Sequence, residues 1–224
     1  MNNYFVDTHC HVFKSDYENI DEKVASICEF VSVGVHAVER FLKISHSRRD
    51  VIGIWGDGSL AYVVACVLSK KLPSSKIIVM GRSTDKLSRF SFVYKTYLSD
   101  DVPKDFEIDH AFECAGGEGS YFAIDDIIKY INPQGTALLM GVSENKVAVN
   151  TRDVLEKGIS LIGSSRSGRA NFEEAVSIMS DSETQRRLSA IIYEDDCVRN
   201  VSDIHRVFEN DLQTQFKTAF KWNI

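Results

Sequence analysis

Short runs of apolar residues alternate along the chain with longer stretches in which apolar residues recur every third or fourth position. The first pattern is typical of buried strands and the second of amphipathic helices. The strand pattern occurs at residues 4–13, 51–55, 76–80, 94–98, 107–114, 135–142 and 159–165. The helix pattern occurs from Asp21 to Phe41, from Ser59 to Lys70, in a short stretch from Thr84, from Tyr121 to Ile131 and from Asn171 to Met179. Strands and helices that alternate in this way predict an α/β fold: a doubly wound parallel sheet with helices on both faces.

Composition and charge narrow the classes of function. Of the 224 residues, 44% are hydrophobic and 26% are charged, and the formal net charge is −6. This balance is typical of a globular protein and offers no basic surface for nucleic acid or for anionic membranes. The five cysteines are scattered without a C-x-x-C pair, and no apolar run approaches the ~18 residues of a membrane-spanning helix. We therefore expect reduced thiols, no membrane partner and a cytoplasmic location.

A glycine-rich turn follows the predicted strand at 51–55. The letters GDGSLA, residues 56–61, fit G-x-G-x-x-A, a variant of the dinucleotide-binding fingerprint. Gly56 permits the tight turn, Gly58 lets the backbone approach a pyrophosphate, and Ala61 keeps the helix close to the strand. The free N–H groups at the helix start, at Ser59 and Leu60, would face the phosphates. The alternative is a glycine turn with no ligand, but the strand–turn–helix context favours a Rossmann-type cofactor site.

The end of the next strand indicates which dinucleotide binds. Enzymes that use NAD usually place an acidic residue there, roughly 20 residues beyond the glycines, to bind the ribose 2′-OH. This chain has Gly81, Arg82 and Ser83 instead, with Lys86 following, and Asp85 falls too late to serve as the ribose acid. An arginine in this place suits the 2′-phosphate of NADP. The sequence thus favours NADP, the alternative being that Arg82 is a solvated surface cation.

Small residues follow the later strands of the predicted sheet. Ligands of open α/β sheets lie beyond the carboxyl ends of the strands. The residues that we predict to line the cofactor there are Cys114 and Ala115 at the end of the strand at 107–114, Gly141 and Val142 at the end of the strand at 135–142, and Ser164 at the end of the strand at 159–165. Each stretch alone is also consistent with an ordinary turn.

Several of these stretches resemble the medium-chain, zinc-dependent alcohol dehydrogenase superfamily: GIWGDGSLAYVVA, DHAFECAGG, INPQGTALLMGVSE and VLEKGISLIGSSRSG. Within it, HAFECAGGEGS, NTRDVLEKG and IGSSRSG look most like the ribulose-5-phosphate reductases of teichoic acid synthesis. The resemblance extends from about Tyr4 to Trp222.

The resemblance implies an NADPH-dependent reduction of a pentulose phosphate, with a zinc ion polarising the carbonyl group. It also implies that residues 1–40 are the end of a GroES-like catalytic domain and a linking helix, 41–185 the dinucleotide-binding domain, and 186–224 a return segment of the catalytic domain. The expected partners are a sugar phosphate substrate, a second copy of the chain in a homodimer, and a cytidylyltransferase that acts on the product.

The residues expected to bind the metal differ from those of the family. The resemblance implies that the family's zinc is held by a cysteine and a His-Glu pair from an N-terminal segment and by a third ligand. Only the third position has a match in this chain, which is Glu29. One carboxylate does not hold zinc, because catalytic sites need three protein ligands. We therefore assign no catalytic residue and expect zinc in the full-length enzyme rather than in this chain. The alternative function is an NADP-binding module that is catalytically incomplete, and the alternative for Glu29 is a carboxylate on a helix surface.

Three further sets of residues carry weaker hypotheses. Lys217 matches a basic residue that the family often places against the pyrophosphate, and an exposed lysine is the equal alternative. Arg166 and Arg169 would bind the sugar phosphate or lie at a subunit interface. His9 and His11, one residue apart on a predicted strand, could begin a metallohydrolase site. The further ligands of such a site are missing, and the resemblance places this stretch on an ordinary strand.

Overall fold

The computed structural model describes residues 19–223 of the chain. The helices are α1 Glu22–Ala25, α2 Cys28–Ile44, α3 Ser59–Lys71, α4 Thr84–Leu87, α5 Gly119–Tyr130, α6 Thr151–Lys157, α7 Arg169–Met179, α8 Ser182–Ser189 and α9 Val201–Asp211. The strands are β1 Val51–Trp55, β2 Lys76–Gly81, β3 Lys95–Leu98, β4 Ile108–Glu113, β5 Ile131–Leu139, β6 Ser160–Gly163, β7 Ile192–Glu194 and β8 Lys217–Ala219. The strand predicted at 4–13, with His9 and His11, lies outside the described residues.

The described chain forms two compact units. One comprises Gly34–Arg166, and the other comprises residues 19–33 together with 167–223. The second unit contains a two-stranded parallel sheet of β7 and β8. Helix α9 contacts the end of β7 through Asn210, which donates a hydrogen bond of 2.8 Å to Asp195. The domain boundaries predicted at 40 and 185, and the GroES-like remnants at both ends, stay predictions. Within residues 19–223, no helix combines the length and apolar character needed to cross a membrane.

The larger unit is built on a six-stranded parallel sheet with the order β3-β2-β1-β4-β5-β6. This confirms the predicted doubly wound, Rossmann-type α/β fold. Strand β1 lies at the centre, with Ile54 paired to Val79 on β2 and to Phe112 on β4. The chain winds outward to β3 and then crosses back to β4, so the order reverses between β1 and β4. The crevice at such a reversal, beyond the carboxyl ends of the strands, is where this fold binds ligands.

Helices cover both faces of this sheet because successive strand residues point to opposite sides. On one face, α5 contributes Ala123, Ile124, Ile127 and Ile128 to a buried cluster with Trp55, Ile78 and Met80. On the other face, Phe41 of α2 packs edge to face against Phe112, with ring centroids 5.2 Å apart. Helix α2 also lies close to α3, since a Cβ added at Gly34 would meet Val63 Cγ1 at 2.7 Å.

The structure corrects the single helix predicted from Asp21 to Phe41. It contains two helices: α1 begins after Asp21, whose side chain accepts from the N–H groups of Lys23 and Val24, and ends after one turn. At that end Ser26 Oγ donates to the carbonyl of Lys23 at 2.6 Å, a local bond of the kind that competes with helix propagation. Helix α2 then runs from Cys28 to Ile44. Apolar spacing alone does not reveal the break, because Val24 in α1 and Ile27 within the break are both buried.

Helix α6 is absent from the predicted elements. Its hydrophobic pattern is weak, and the structure buries none of its side chains. The residues at its ends do carry a signal. Asn150 caps the first turn by accepting from the N–H of Asp153, and Gly158 ends the helix with φ at 62°.

His110, in the middle of β4, is fully buried with its ring 4.2 Å from the ring of His46. Its Nδ1 accepts a hydrogen bond of 3.1 Å from the backbone N–H of Thr136. Burial, together with the nearby His46, lowers the pKa of His110 from 6.5 to about 4. The folded protein therefore holds this imidazole neutral in a pH range where the unfolded chain protonates it.

We predict that stability falls as the pH drops from about 6.5 to about 4. In that window the unfolded state binds a proton at His110 that the folded state does not, so up to about 3 kcal/mol of unfolding free energy is lost. The measurement is urea unfolding of the unaltered chain and of His110→Asn between pH 7 and pH 4. The variant should lose less stability with pH, whereas an unchanged pH dependence would contradict the prediction.

Candidate nucleotide-binding site

The glycine turn between β1 and α3 lies in close contact with the end of β4. The Gly56 N–H donates to the carbonyl of Met80 at 2.8 Å, and the Cys114 N–H donates to the carbonyl of Trp55 at 2.7 Å. Gly56 has φ at 133°, and a Cβ there would lie 2.8 Å from the carbonyl carbon and oxygen of Cys114. Both the backbone conformation and the space therefore require glycine.

Gly58 precedes α3 as its N-cap residue and leaves the start of the helix open. Among the described residues, no side chain caps this helix end. A Cβ built on Gly58 meets nothing within 4 Å. The N–H groups of Ser59 and Leu60 therefore point outward at the positive end of a 13-residue helix. This arrangement suits an anionic group.

Asp57 joins the glycine turn to the end of β2. Its Oδ2 accepts from the backbone N–H of Arg82 at 2.7 Å and from that of Ser83 at 2.8 Å. The contact needs a glycine at position 81, where a Cβ would lie 2.5 Å from the Cβ of Asp57. Ser83 in turn caps α4, its Oγ accepting from the N–H of Lys86 at 3.3 Å. The residues predicted at this strand end therefore lie beside the glycine turn: Gly81, Arg82, Ser83 and Lys86. The side chain that holds this segment, Asp57, occupies a variable position of the fingerprint.

Two cations of this strand end are available for a ligand. Arg82 is exposed and Lys86 is half-buried. Neither takes part in an ion pair within residues 19–223. A phosphate placed beside them would meet two positive charges that no carboxylate among residues 19–223 neutralises by an ion pair.

Glu113, the last residue of β4, is a second carboxylate that holds loops at this edge of the sheet. It is buried, with 1% of its surface exposed. Its Oε1 accepts from the N–H groups of Ala115 and Gly116 and from Ser120 Oγ at 3.0 to 3.1 Å, and its Oε2 accepts from the N–H of Gly141 at 2.9 Å. Four donors satisfy the charge of this carboxylate, which is the condition for burying it. Glu113 is not among the residues predicted from the sequence, although an acidic residue ending a buried strand is a usable signal.

The loops that follow β4 and β5 are bonded directly to each other. The Gly117 N–H donates to the carbonyl of Val142 at 2.8 Å, and Ser143 Oγ donates to the carbonyl of Gly117 at 2.8 Å. Gly116 and Gly117 have φ of 68° and 54°. Ala115 is exposed and Val142 is 85% exposed, so both present their side chains outward from this paired loop.

Cys114 and Ser164 follow β4 and β6 at the same edge, and both are buried. Burial, and then the charge of Glu113, raises the pKa of the Cys114 thiol well above its usual value, so the thiol is protonated and does not act as a nucleophile. Ser164 Oγ makes no hydrogen bond within the described part of the chain. A buried hydroxyl without a partner is costly and is a candidate to bind a ligand.

The structure gathers most of the predicted cofactor residues at the carboxyl edge of the large sheet. They are Gly56, Gly58, Ser59, Leu60, Gly81, Arg82, Ser83, Lys86, Cys114, Ala115, Gly141, Val142 and Ser164. Two predicted residues belong to the other unit: Glu29 in the first turn of α2, and Lys217, whose Nζ lies 4.7 Å from the centre of the Phe30 ring. The roles of all these residues stay predictions.

The described residues do not fit a zinc site. Between residues 19 and 223, no three His, Cys, Asp or Glu side chains are grouped closely enough to hold a metal ion. Glu29 alone leaves two protein ligands unaccounted for, since catalytic zinc takes three. We therefore derive no step through zinc.

Known proteins resemble this chain over most of its length. A ribulose-5-phosphate reductase of Streptococcus pneumoniae is 53% identical over 208 residues, which are 93% of this chain and 60% of that protein. The crystal structure of TarJ from Staphylococcus aureus superposes with a TM-score of 0.87 at 43% identity, covering 92% of this chain and 67% of TarJ, and a second structure of TarJ contains NADPH. L-idonate 5-dehydrogenase of Escherichia coli, at 18% identity and a TM-score of 0.75, shares the fold. No family model matches the chain.

The glycine turn and the switch point between β1 and β4 define a doubly wound, Rossmann-type α/β protein. The chain belongs to the family that contains TarJ and the ribulose-5-phosphate reductases. It spans about three fifths of the length of the first curated relatives that it matches.

We predict opposite outcomes for alanine at the two fingerprint glycines. Gly56→Ala should lower the free energy of unfolding by about 3 kcal/mol, because it adds a Cβ against the Cys114 backbone at a φ that favours glycine. Gly58→Ala should stay within about 0.5 kcal/mol of the unaltered chain, because its Cβ meets nothing. Urea unfolding of both variants checks this, and equal losses would contradict it.

A second prediction concerns the Glu113 carboxylate. Glu113→Gln should destabilise the chain by about 2–4 kcal/mol, because an amide NH₂ would face a backbone N–H where an oxygen now accepts. Glu118→Gln, the same chemical change at an exposed position five residues further on, is the matched control. Thermal and urea unfolding compare the two variants. A Glu113→Gln protein as stable as the control would show that the four hydrogen bonds contribute little.

Proposed function

We propose that this chain binds NADP(H) and supplies the nucleotide-binding part of an enzyme that reduces ribulose 5-phosphate to ribitol 5-phosphate. The observation that carries the proposal is the open helix start at Gly58, beside two cations without ion pairs within residues 19–223, in a chain 53% identical to a ribulose-5-phosphate reductase. The NADPH-bound structure of TarJ, at 43% identity, supports the same cofactor.

The phosphate groups of the dinucleotide have residues in this site that fit them. The N–H groups that begin α3 would bind the pyrophosphate, with Gly58 leaving room for it. Arg82, Ser83 and Lys86 would bind the 2′-phosphate through charge-assisted hydrogen bonds. Their backbone is already in place through Asp57 and the Ser83 cap, so little ordering is needed on binding.

The nicotinamide end would lie against the loops held by Glu113. The loop after β4 and the loop after β5 are bonded to each other. Ser164 Oγ, which has no hydrogen-bond partner within residues 19–223, offers a hydrogen bond at the carboxyl end of β6. Bound there, NADPH would supply the hydride for reduction of the ketone carbon of the sugar phosphate, with a proton from the medium completing the hydroxyl group. The chain's own contribution is to orient the ring and to exclude water from one of its faces.

The remaining parts of the proposal rest on the family. We propose a cytoplasmic homodimer, a sugar phosphate as substrate, and a cytidylyltransferase that uses the product in teichoic acid synthesis. Glu29 and Lys217 are proposed as a zinc ligand and a pyrophosphate contact in the complete enzyme. Residues 41–185 are proposed as its dinucleotide-binding domain.

A second candidate function is NADP binding without catalysis by the isolated chain. The observation in its favour is Glu29, the only one of the family's zinc-ligand positions that has a match within residues 19–223, with no cluster of potential ligands around it in that range. The two candidates differ in one readout: both bind NADPH, and only the first oxidises it with ribulose 5-phosphate.

We predict that Arg82→Ala weakens NADPH binding at least about tenfold and leaves NADH binding unchanged, since only NADPH carries the 2′-phosphate. Arg152→Ala, which removes an 82% exposed arginine from α6, is the control. Nucleotide fluorescence titration gives both dissociation constants. Equal effects on the two nucleotides would contradict a role for Arg82 at the 2′-phosphate.

The reaction is tested with a chimaera. The matching 208 residues of the Streptococcus pneumoniae reductase are replaced by those of this chain, and NADPH oxidation with ribulose 5-phosphate is measured beside the parent and beside this chain alone. We expect an active chimaera that prefers NADPH and yields ribitol 5-phosphate by mass spectrometry. A folded chimaera that binds NADPH without oxidising it would reject the proposed reaction for this sequence.

A further inference from the structure

Asp57 stands out as a carboxylate inside the glycine turn whose partners lie 25 and 26 residues away. One of its oxygens, Oδ2, accepts two backbone N–H groups, from Arg82 and Ser83, at 2.7 and 2.8 Å. Both hydrogen bonds are short, as expected when the acceptor is charged. The side chain therefore fixes the main chain of the segment that carries the cations.

The surroundings of Asp57 are shaped to allow this contact. Gly81 has no Cβ, and one built there would approach Asp57 Cβ to 2.5 Å and Oδ2 to 2.8 Å. Any larger residue at position 81 would push the carboxylate off the two N–H groups. Asp57 and Gly81 thus act as a matched pair across the turn.

The contact also determines which part of Arg82 stays free. Asp57 bonds to the main chain of Arg82, and the arginine side chain has no ion pair within residues 19–223. Because two N–H groups offset its charge, the carboxylate opposes a nearby phosphate less than a free one would. An acidic residue at the end of β2 would instead favour a ribose hydroxyl.

We infer that Asp57 is a positioning residue for NADP specificity: it holds the Arg82–Ser83 backbone so that the free cations face the 2′-phosphate. The inference rests on the proposed NADP binding. It assigns the preference to two layers of residues, the cations that touch the phosphate and the carboxylate that orients their main chain.

The test compares Asp57→Ala, which removes the acceptor, with Asp57→Asn, which keeps one oxygen to accept the N–H groups. We expect Asp57→Ala to weaken NADPH binding at least about tenfold while NADH binding changes less than about threefold. Asp57→Asn should restore NADPH binding to within about threefold of the unaltered chain. Asp85→Ala, an exposed acid on the first turn of α4, is the control that removes a charge near the same segment without these bonds.

A double-mutant cycle with Arg82→Ala separates positioning from general loss of structure. If Asp57 acts through Arg82, Asp57→Ala should cost much less NADPH affinity once Arg82 is already alanine. Circular dichroism and thermal unfolding establish that each variant is folded. Should Asp57→Ala fail to fold, Asp57→Ser, which shortens the side chain and keeps a hydroxyl, takes its place in the cycle.

Three results would overturn the inference. Equal losses for NADPH and NADH in Asp57→Ala would make the residue structural only. A larger loss for NADH would make it an acceptor for the ribose hydroxyl. Full additivity in the cycle would uncouple it from Arg82. If the unaltered chain bound no NADPH, the proposed function would fail and the inference with it, which distinguishes that failure from the other three.

Discussion

The close approach of two backbones, at Gly56 and Cys114, is the constraint on which the site depends. The end of β1 and the end of β4 come so near each other that a single added Cβ would lie 2.8 Å from a carbonyl group. This contact lies where the strand order reverses, and it opens the start of α3 toward the crevice. The uncapped start of the helix thus follows from sheet topology and from one glycine.

Two carboxylates extend that arrangement to the neighbouring strands. Asp57 bonds the turn to the end of β2, and Glu113 bonds the end of β4 to the loop after β5. Neither uses its charge on a cation of the described chain; both accept from backbone N–H groups. Loops of a doubly wound sheet carry the ligand-binding residues, and here acidic side chains give these loops a fixed geometry before any ligand arrives.

Much of the sheet and its glycine turn could be predicted from the sequence, because apolar runs and glycine spacing report burial and backbone conformation directly. The break between α1 and α2 could not be predicted, because Val24 and Ile27 continue the helical spacing of apolar residues and because Ser26 acts through a local hydrogen bond. Helix α6 was missed because it buries no side chain. Asp57 was missed for a different reason: its partners, the N–H groups of Arg82 and Ser83, are distant in sequence, and no local pattern records them. Glu113 has a local signal as an acidic residue that ends a buried strand, but its bond to the distant Gly141 is visible only in the fold.

The most direct test of this account is calorimetric titration of the unaltered chain with adenosine 2′,5′-bisphosphate and with adenosine 5′-monophosphate. The two compounds share the adenosine and differ chiefly in the 2′-phosphate that Arg82, Ser83 and Lys86 are proposed to bind. We expect the bisphosphate to bind at least about tenfold more tightly, with the difference shrinking as salt is raised. Equal affinities, or tighter binding of the monophosphate, would contradict the claim that the end of β2 recognises NADP.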